Sequence, residues 1–221
     1  MKRIPLQQDQ FYHFYNRGVD KRIVFSDPTD YKRFQAYLYL LNTQEKIRPS
    51  DIISAHDDEN IFSLQRGKPL VAIGAYCLMP NHFHGYATPL VENGLSKFMQ
   101  RVQTAYTMYF NQKRKRSGAL FQGVFKTQMM EDEADARQLV AFIHLSPIAL
   151  VDPEWAELNG TELARFKKEI GGYQYSSIGE YLNSKHIITD LTKFPKYFSS
   201  RRHVDDHLSM WLRAKEANKA I

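Results

Sequence analysis

The stretch from Leu70 to Thr88 constrains the fold of this chain more than any other. Leu70 to Met79 is a mostly apolar run suited to a buried central strand, Pro80-Asn81 reads as a turn or bulge, and His82 to Thr88 reads as the next strand. Side chains at i and i+2 of a strand leave the same face of a sheet. His82 and His84 therefore share one face, while Phe83 points the other way into a core. By spacing alone, two such imidazoles are most simply strand histidines satisfied by hydrogen bonds. They become a metal site only if other groups complete the set.

The flanking sequence supplies the rest of a sheet and the helices to cover it. Phe11-Tyr12-His13-Phe14-Tyr15 is aromatic and β-prone, and Asn16-Arg17-Gly18 supplies a turn, so a strand is expected there with Arg17, Lys21 and Arg22 at its tip. Ser26 to Asp30 carries helix-start chemistry, and Phe34, Tyr37, Leu38 and Leu41 recur at helical spacing up to about Lys46. Arg48 to Lys68 is acidic and mixed in pattern, an excursion or loop. From Gly94, the residues Leu95, Phe98, Met99, Val102, Tyr106, Tyr109 and Phe110 form the apolar stripe of a helix, which assigns both tyrosines to the core.

That helix ends in the basic run Lys113-Arg114-Lys115-Arg116, followed by Ser117-Gly118. Ala119 to Met130 reads as extended and carries Phe121, Gln122, Phe125 and Lys126. Glu131 to Asp135 places carboxylates at the start of another helix, where the dipole favours them, and that helix runs toward Pro147. Beyond Pro153, Glu154 to Ile170 reads as an interrupted helix, Ser177 to Leu182 as a further helical turn, and Ser199 to Ile221 as a charged terminal helix.

Composition narrows the class. The chain has 221 residues, 43% of them hydrophobic and 24% charged, which fits a folded protein with one sizeable core and excludes wholesale disorder. It has no apolar run of membrane-spanning length and does not open on a secretory signal, so a cytoplasmic protein without a membrane partner is expected. The single cysteine, Cys77, excludes an intrachain disulfide and reads as a small buried residue. A net charge of +6 fits a polyanionic partner. His13, His56, His186, His203 and His207 have no partner at a telling spacing.

Leu78-Met79-Pro80-Asn81-His82-Phe83-His84 resembles the HUH motif (His, bulky hydrophobic, His) of the bacterial IS200/IS605-like single-tyrosine transposases, including the REP-associated tyrosine transposases. Further elements agree in order: Tyr15-Asn16-Arg17-Gly18, Leu95-Ser96-Lys97-Phe98-Met99-Gln100, Tyr109-Phe110-Asn111, Gly118 through Lys126, and Tyr173-Gln174-Tyr175-Ser176-Ser177. The likeness runs from Phe11 to Leu182. It implies an α+β fold, with a ferredoxin-like or RRM-like core of central antiparallel sheet and helices on one face over residues 1–150, and a C-terminal helical extension over 151–221. It also implies Mg²⁺ or Mn²⁺ on His82 and His84, a single-stranded or hairpin DNA partner, and tyrosine attack on a DNA phosphate to give a 5′-phosphotyrosine and a free 3′-hydroxyl. Relatives include homodimers that exchange helices and proteins that act as monomers.

One departure bears on the chemistry. The family places its nucleophile in a pattern like Tyr-Ile-His-Leu-Asn-Pro, and the matching residues here are Phe142-Ile143-His144-Leu145-Ser146-Pro147. Phe142 has no oxygen to attack phosphorus. Ser146 stands where relatives supply a third metal ligand, and a hydroxyl is a weaker ligand than an amide carbonyl for a hard cation. The expectation is DNA binding without cleavage, with Arg17, Lys21, Arg22, Arg101, Lys113, Arg114, Lys115, Arg116, Phe121, Gln122 and Lys126 as candidate DNA contacts. If the hydroxyl is the whole defect, Phe142→Tyr restores a covalent adduct. The competing class is a metal-dependent hydrolase unrelated to transposition, using His82, His84 and an acidic third ligand.

Overall fold

The structure, a computed structural model, describes residues 6–56, 58–154 and 166–195. Four strands, β1 (Tyr12–Arg17), β2 (Val71–Met79), β3 (His82–Pro89) and β4 (Lys126–Met129), form one antiparallel sheet in the order β2-β3-β1-β4. Helix α1 (Pro28–Leu40) joins β1 to β2 and helix α4 (Gly94–Lys113) joins β3 to β4, which is the β-α-β-β-α-β order of the ferredoxin-like fold. The segment that reads as an excursion carries two short helices, α2 (Pro49–Ala55) and α3 (Asp58–Ile61).

The β2–β3 hairpin forms where its sequence places it, but β2, expected as a central strand, lies at the edge of the sheet and is buried by the segments packed around it. β2 is buried along its whole length, and Met79 pairs with His82 across the two-residue turn Pro80-Asn81. A register shift between Ile73 and Ala75 bulges the strand at Gly74. Gly85 faces Phe14 across the β1–β3 ladder, and a Cβ there would lie 2.2 Å from the Phe14 ring, so only glycine lets that ring cross the strand.

Alternation sorts the side chains into two layers. Phe14, Phe83 and Leu78 meet Phe34, Phe98, Val102 and Tyr106 from α1 and α4. Burying each such side chain stabilises the fold by roughly 1.5–3 kcal/mol. Asn42, just past α1, locks that layer to the sheet edge: its side-chain oxygen accepts from Leu70 and Val71 N–H and its amide donates to the Val71 carbonyl. Tyr106 donates to the Val24 carbonyl and Tyr109 to Asp30, so both are held in structural contacts.

The opposite layer covers only part of the sheet. Helix α5 (Glu133–Leu145), N-capped by Asp132, packs with Ala136, Val140 and Ile143 against Ala75, Cys77 and Met79. Burial pushes the Cys77 thiol well above its ordinary range, in keeping with a packing role. A 3₁₀ turn (Ser146–Leu150) follows, and later α6 (Lys167–Gly172) and α7 (Ile178–Asn183). Between them, residues 175–177 bond to the outer edge of β2 through Leu78 N–H to the Tyr175 carbonyl and Ser177 N–H to the Tyr76 carbonyl. An edge strand is thereby covered.

Most of the interrupted helix expected over Glu154 to Ile170 lies outside the described residues, as does the terminal one from Ser199, with His203 and His207. Among the described residues no helix is long and apolar enough to cross a membrane.

Candidate nucleic-acid interface

Because α5 sits over β2 and β3, the β1–β4 side of that sheet face is left open, and the histidines lie at the boundary. Register places three residues in one row across the sheet: His84 on β3, Tyr15 on β1 and Lys126 on β4. His82 and Arg17 are paired in the next row. These residues, with Asn16, Lys21, Asn81 and Gln122, line a cavity of about 450 Å³.

Loops are pinned around its mouth. Gly18 N–H donates to the Asn81 carbonyl, Gln122 N–H to the Arg17 carbonyl, and the Arg17 Nε to Gln122 Oε1 at 2.7 Å. Asn16 is buried and donates to the carbonyl of Gly123, whose φ of +62° turns the chain back toward the sheet. The wall is thus preorganised from three separate parts of the sequence.

The imidazoles form a cluster of three. The rings of His82 and His84 lie 4.9 Å apart, and His13 Nε2 meets His84 Nδ1 at 2.9 Å. Asn81 Oδ1 lies 2.6 Å from His82 Nδ1, which assigns the proton to that nitrogen and leaves Nε2 with its lone pair. Burial holds His13 down to about 4. Burial and the Arg17 guanidinium lower His82, and burial followed by the other two histidines holds His84 well below the usual histidine range. All three are neutral near pH 7.

Neutral imidazoles suit metal ligation, so the completeness of the donor set decides the matter. Among the described residues no group of three His, Cys, Asp or Glu side chains is arranged to hold a metal ion. Ser146 is buried, and its hydroxyl donates to the Phe142 carbonyl at 2.7 Å. Mg²⁺ and Mn²⁺ prefer oxygen ligands, and two nitrogens without a carboxylate are a poor resident site for either. Among the described residues the pair therefore offers a cation an incomplete set, without the acidic third ligand that a hydrolase would also need.

Phe142, on α5, reaches the histidines. Its ring meets that of His84 edge to face at 5.2 Å, so the residue aligned with a nucleophile abuts the second histidine. His144 turns away, buried, with Nε2 2.7 Å from Ser177 Oγ.

The candidate DNA contacts separate into two groups. Arg17, Lys21, Gln122 and Lys126 line the cavity, whose lining includes three cations and no carboxylate. Of the others, all but Lys115 are committed elsewhere. Lys113 and Arg114 pair with Asp27 and Asp30, and Arg116 bonds to Asn111 and the Ala119 carbonyl. Arg101 donates to the carbonyls of Thr43 and Glu45, and Arg22 to that of Val19 and to Asp20. Phe121 and Phe125 are buried, with Phe121 edge-on to Phe83, so their rings are core and not a stacking surface for bases. Lys115 is exposed at a left-handed turn.

Sequence reading missed His13, Tyr15 and Asn81 as parts of the site. His13 and Tyr15 do alternate with the core residues Tyr12 and Phe14, which puts both on one face. Which strand lies beside that face is set by long-range pairing, and no local pattern reports it.

No protein-family model matches the chain, and no curated protein matches it. Among solved structures it is similar to one described as a REP-associated tyrosine transposase bound to a REP hairpin, with 11% sequence identity, 90% of this chain and 98% of that chain covered, and a TM-score of 0.48. A likeness of this size assigns no chemistry.

Proposed function

We propose that this protein binds single-stranded or hairpin DNA on the open half of its sheet, in the manner of a transposase-like domain, and does not cleave it. The observation that carries this reading is the cavity over His82 and His84, where Arg17, Lys21 and Lys126 stand without a carboxylate among the lining residues. None of these three cations has an ion pair among the described residues, so their charge is available to phosphates. The order of the motifs, from Tyr15-Asn16-Arg17-Gly18 through the histidines to the Phe142 segment, supports the choice of DNA as the polyanion.

Two features argue against cleavage. Phe142 offers no oxygen, and among the described residues the imidazole pair has no third His, Cys, Asp or Glu ligand. Within this reading, a divalent ion at His82 and His84 would draw its remaining oxygens from water and the bound strand. Binding itself does not require it.

The test is fluorescence anisotropy with a DNA hairpin bearing a single-stranded flank, set against a random duplex, over a range of salt. Preference for the hairpin and an affinity that falls steeply with salt are expected. Equal affinity for both would remove the proposal. Phe142→Tyr probes the second part: with the donor set incomplete, no covalent protein–DNA adduct is expected in Mn²⁺ buffer. An adduct would show that the hydroxyl was the whole defect.

A further inference from the structure

Tyr15 lies in the middle of the row His84–Tyr15–Lys126, yet nothing in the phosphate-binding reading uses its ring. One face of that ring stacks on His13, at 4.7 Å between centroids and 28° between planes, which fixes its orientation on the sheet. Its hydroxyl makes no hydrogen bond among the described residues, whereas Tyr12, Tyr39, Tyr106, Tyr109, Tyr173 and Tyr181 all bond theirs within the protein. Tyr15 is half-buried and forms a wall of the cavity. A rigid, oriented aromatic ring beside three cations is the arrangement by which a sheet holds a nucleobase.

The size of the space agrees. At about 450 Å³ the cavity falls within the range of roughly 300–1,000 Å³ that accommodates small organic molecules, more than a phosphate alone would fill. The lining is also mixed in the way a nucleotide requires: an aromatic ring, the amides of Asn16, Asn81 and Gln122, and cations at the rim. A base inside a duplex is stacked on both faces and cannot lie on a protein ring without being flipped out. An unpaired nucleotide can do so at no such cost.

We infer that Tyr15 is the stacking platform for one unpaired base of the bound strand, with the adjoining phosphates held by Arg17, Lys21 and Lys126. The site thereby distinguishes a hairpin with a single-stranded flank from one with a blunt end. This rests on the DNA-binding reading above and adds to it the residue that would hold an unpaired base.

The experiment uses the full chain and three hairpins of identical stem: blunt, flanked, and flanked with each unpaired position in turn made abasic. The flank also carries 2-aminopurine for a fluorescence readout. Wild-type protein is expected to bind the flanked hairpin between about five- and a hundredfold more tightly than the blunt one, the range of a single base–aromatic stack. One abasic position should abolish that gain, and 2-aminopurine at the same position should be quenched.

Tyr15→Phe should keep both effects, and Tyr15→Leu should lose both, so that its preference for the flanked over the blunt hairpin disappears. In Tyr15→Leu the abasic substitution should then have no further effect, because ring and base form one pair. A wild-type protein indifferent to every abasic position overturns the inference, and needs no variant to fold. So does a Tyr15→Phe variant that falls to the level of Tyr15→Leu, because the hydroxyl and not the ring would then be the contact. Failure of the wild type to bind even the blunt hairpin would instead strike the parent reading, and the two failures are thereby told apart.

Discussion

Two clusters of basic residues, one contiguous in the sequence and one assembled from distant parts of it, have opposite fates in this molecule. At the C-terminal end of α4, Lys113 and Arg114 meet Asp27 and Asp30 at the start of α1, with Lys113 Nζ 2.6 Å from the fully buried Asp30. At the open half of the sheet, Arg17, Lys21 and Lys126 line a cavity without a carboxylate. The first cluster has its counter-ions built in and joins two helices. The second is left to find them in a ligand. Cationic character therefore says little by itself about nucleic-acid binding; the presence of a carboxylate within reach decides it.

The largest effect expected from breaking this contrast is on folding. Asp30 accepts from Lys113, Tyr109, Arg114 and Ser26 N–H, so Asp30→Ala removes the centre of a buried network. A loss of about 3 kcal/mol of unfolding free energy is expected, the lower end for breaking a buried pair because Lys113 keeps Asp27. Urea unfolding measures it. Hairpin affinity, taken where the variant is still folded, should be unchanged, and a parallel fall in affinity would show that the α4 cluster belongs to the interface after all.

Next in size are single truncations in the second cluster. Arg17→Ala, Lys21→Ala and Lys126→Ala should each weaken hairpin binding by roughly tenfold and reduce the slope of log affinity against log salt by about one. Their unfolding midpoints should move little, because none of the three side chains has an ion pair among the described residues. Arg114→Ala is the control, with the reverse pattern: lower stability and an unaltered salt slope.

Acid should separate the two regions in pH. His13 is held down to about 4, and His82 and His84 are also lowered. The unfolded chain binds protons at these rings from about pH 6.5, before the folded one does. Stability is therefore highest above 6.5 and falls as pH drops through the interval from 6.5 to about 4. Asp27 is lowered chiefly by its hydrogen bond from Lys113, opposed by its own desolvation. Its contribution survives that interval and is lost only as pH falls through the depressed carboxylate value. Unfolding midpoints measured from pH 7 to pH 3 should show both limbs, with Asp27→Asn removing the lower one and sparing the upper.

How much of this was legible in the sequence follows the range of the interaction concerned. The β2–β3 hairpin, its turn at Pro80-Asn81 and the apolar stripe of α4 could be read because strand alternation and helical periodicity act over a few residues. So could the placing of His82 and His84 on one face. The pairing of β1 between β3 and β4 could not, and with it went His13 and Tyr15. The basic run Lys113 to Arg116 was misleading for the same reason: its carboxylates come from more than eighty positions earlier in the chain, so the run looks unneutralised in any local window. Phe121 and Phe125 read as an aromatic and basic surface because their burial depends on long-range packing, with Phe121 folding back over Phe83 and Tyr106.

The smallest effect is the one expected of a chelator. If the open half of the sheet acts through its cations, removing divalent ions should leave the hairpin Kd unchanged, since Arg17, Lys21 and Lys126 neutralise phosphate without help. His82→Ala is the companion variant, because His82 Nε2 carries the free lone pair that a cation would need. Isothermal titration with and without EDTA, on wild type and His82→Ala, reads the two together. A Kd that rises with EDTA in the wild type but not in His82→Ala would mean that the imidazole pair gathers a cation once DNA supplies the missing oxygens. The second cluster would then have to be redrawn as three side chains and an ion.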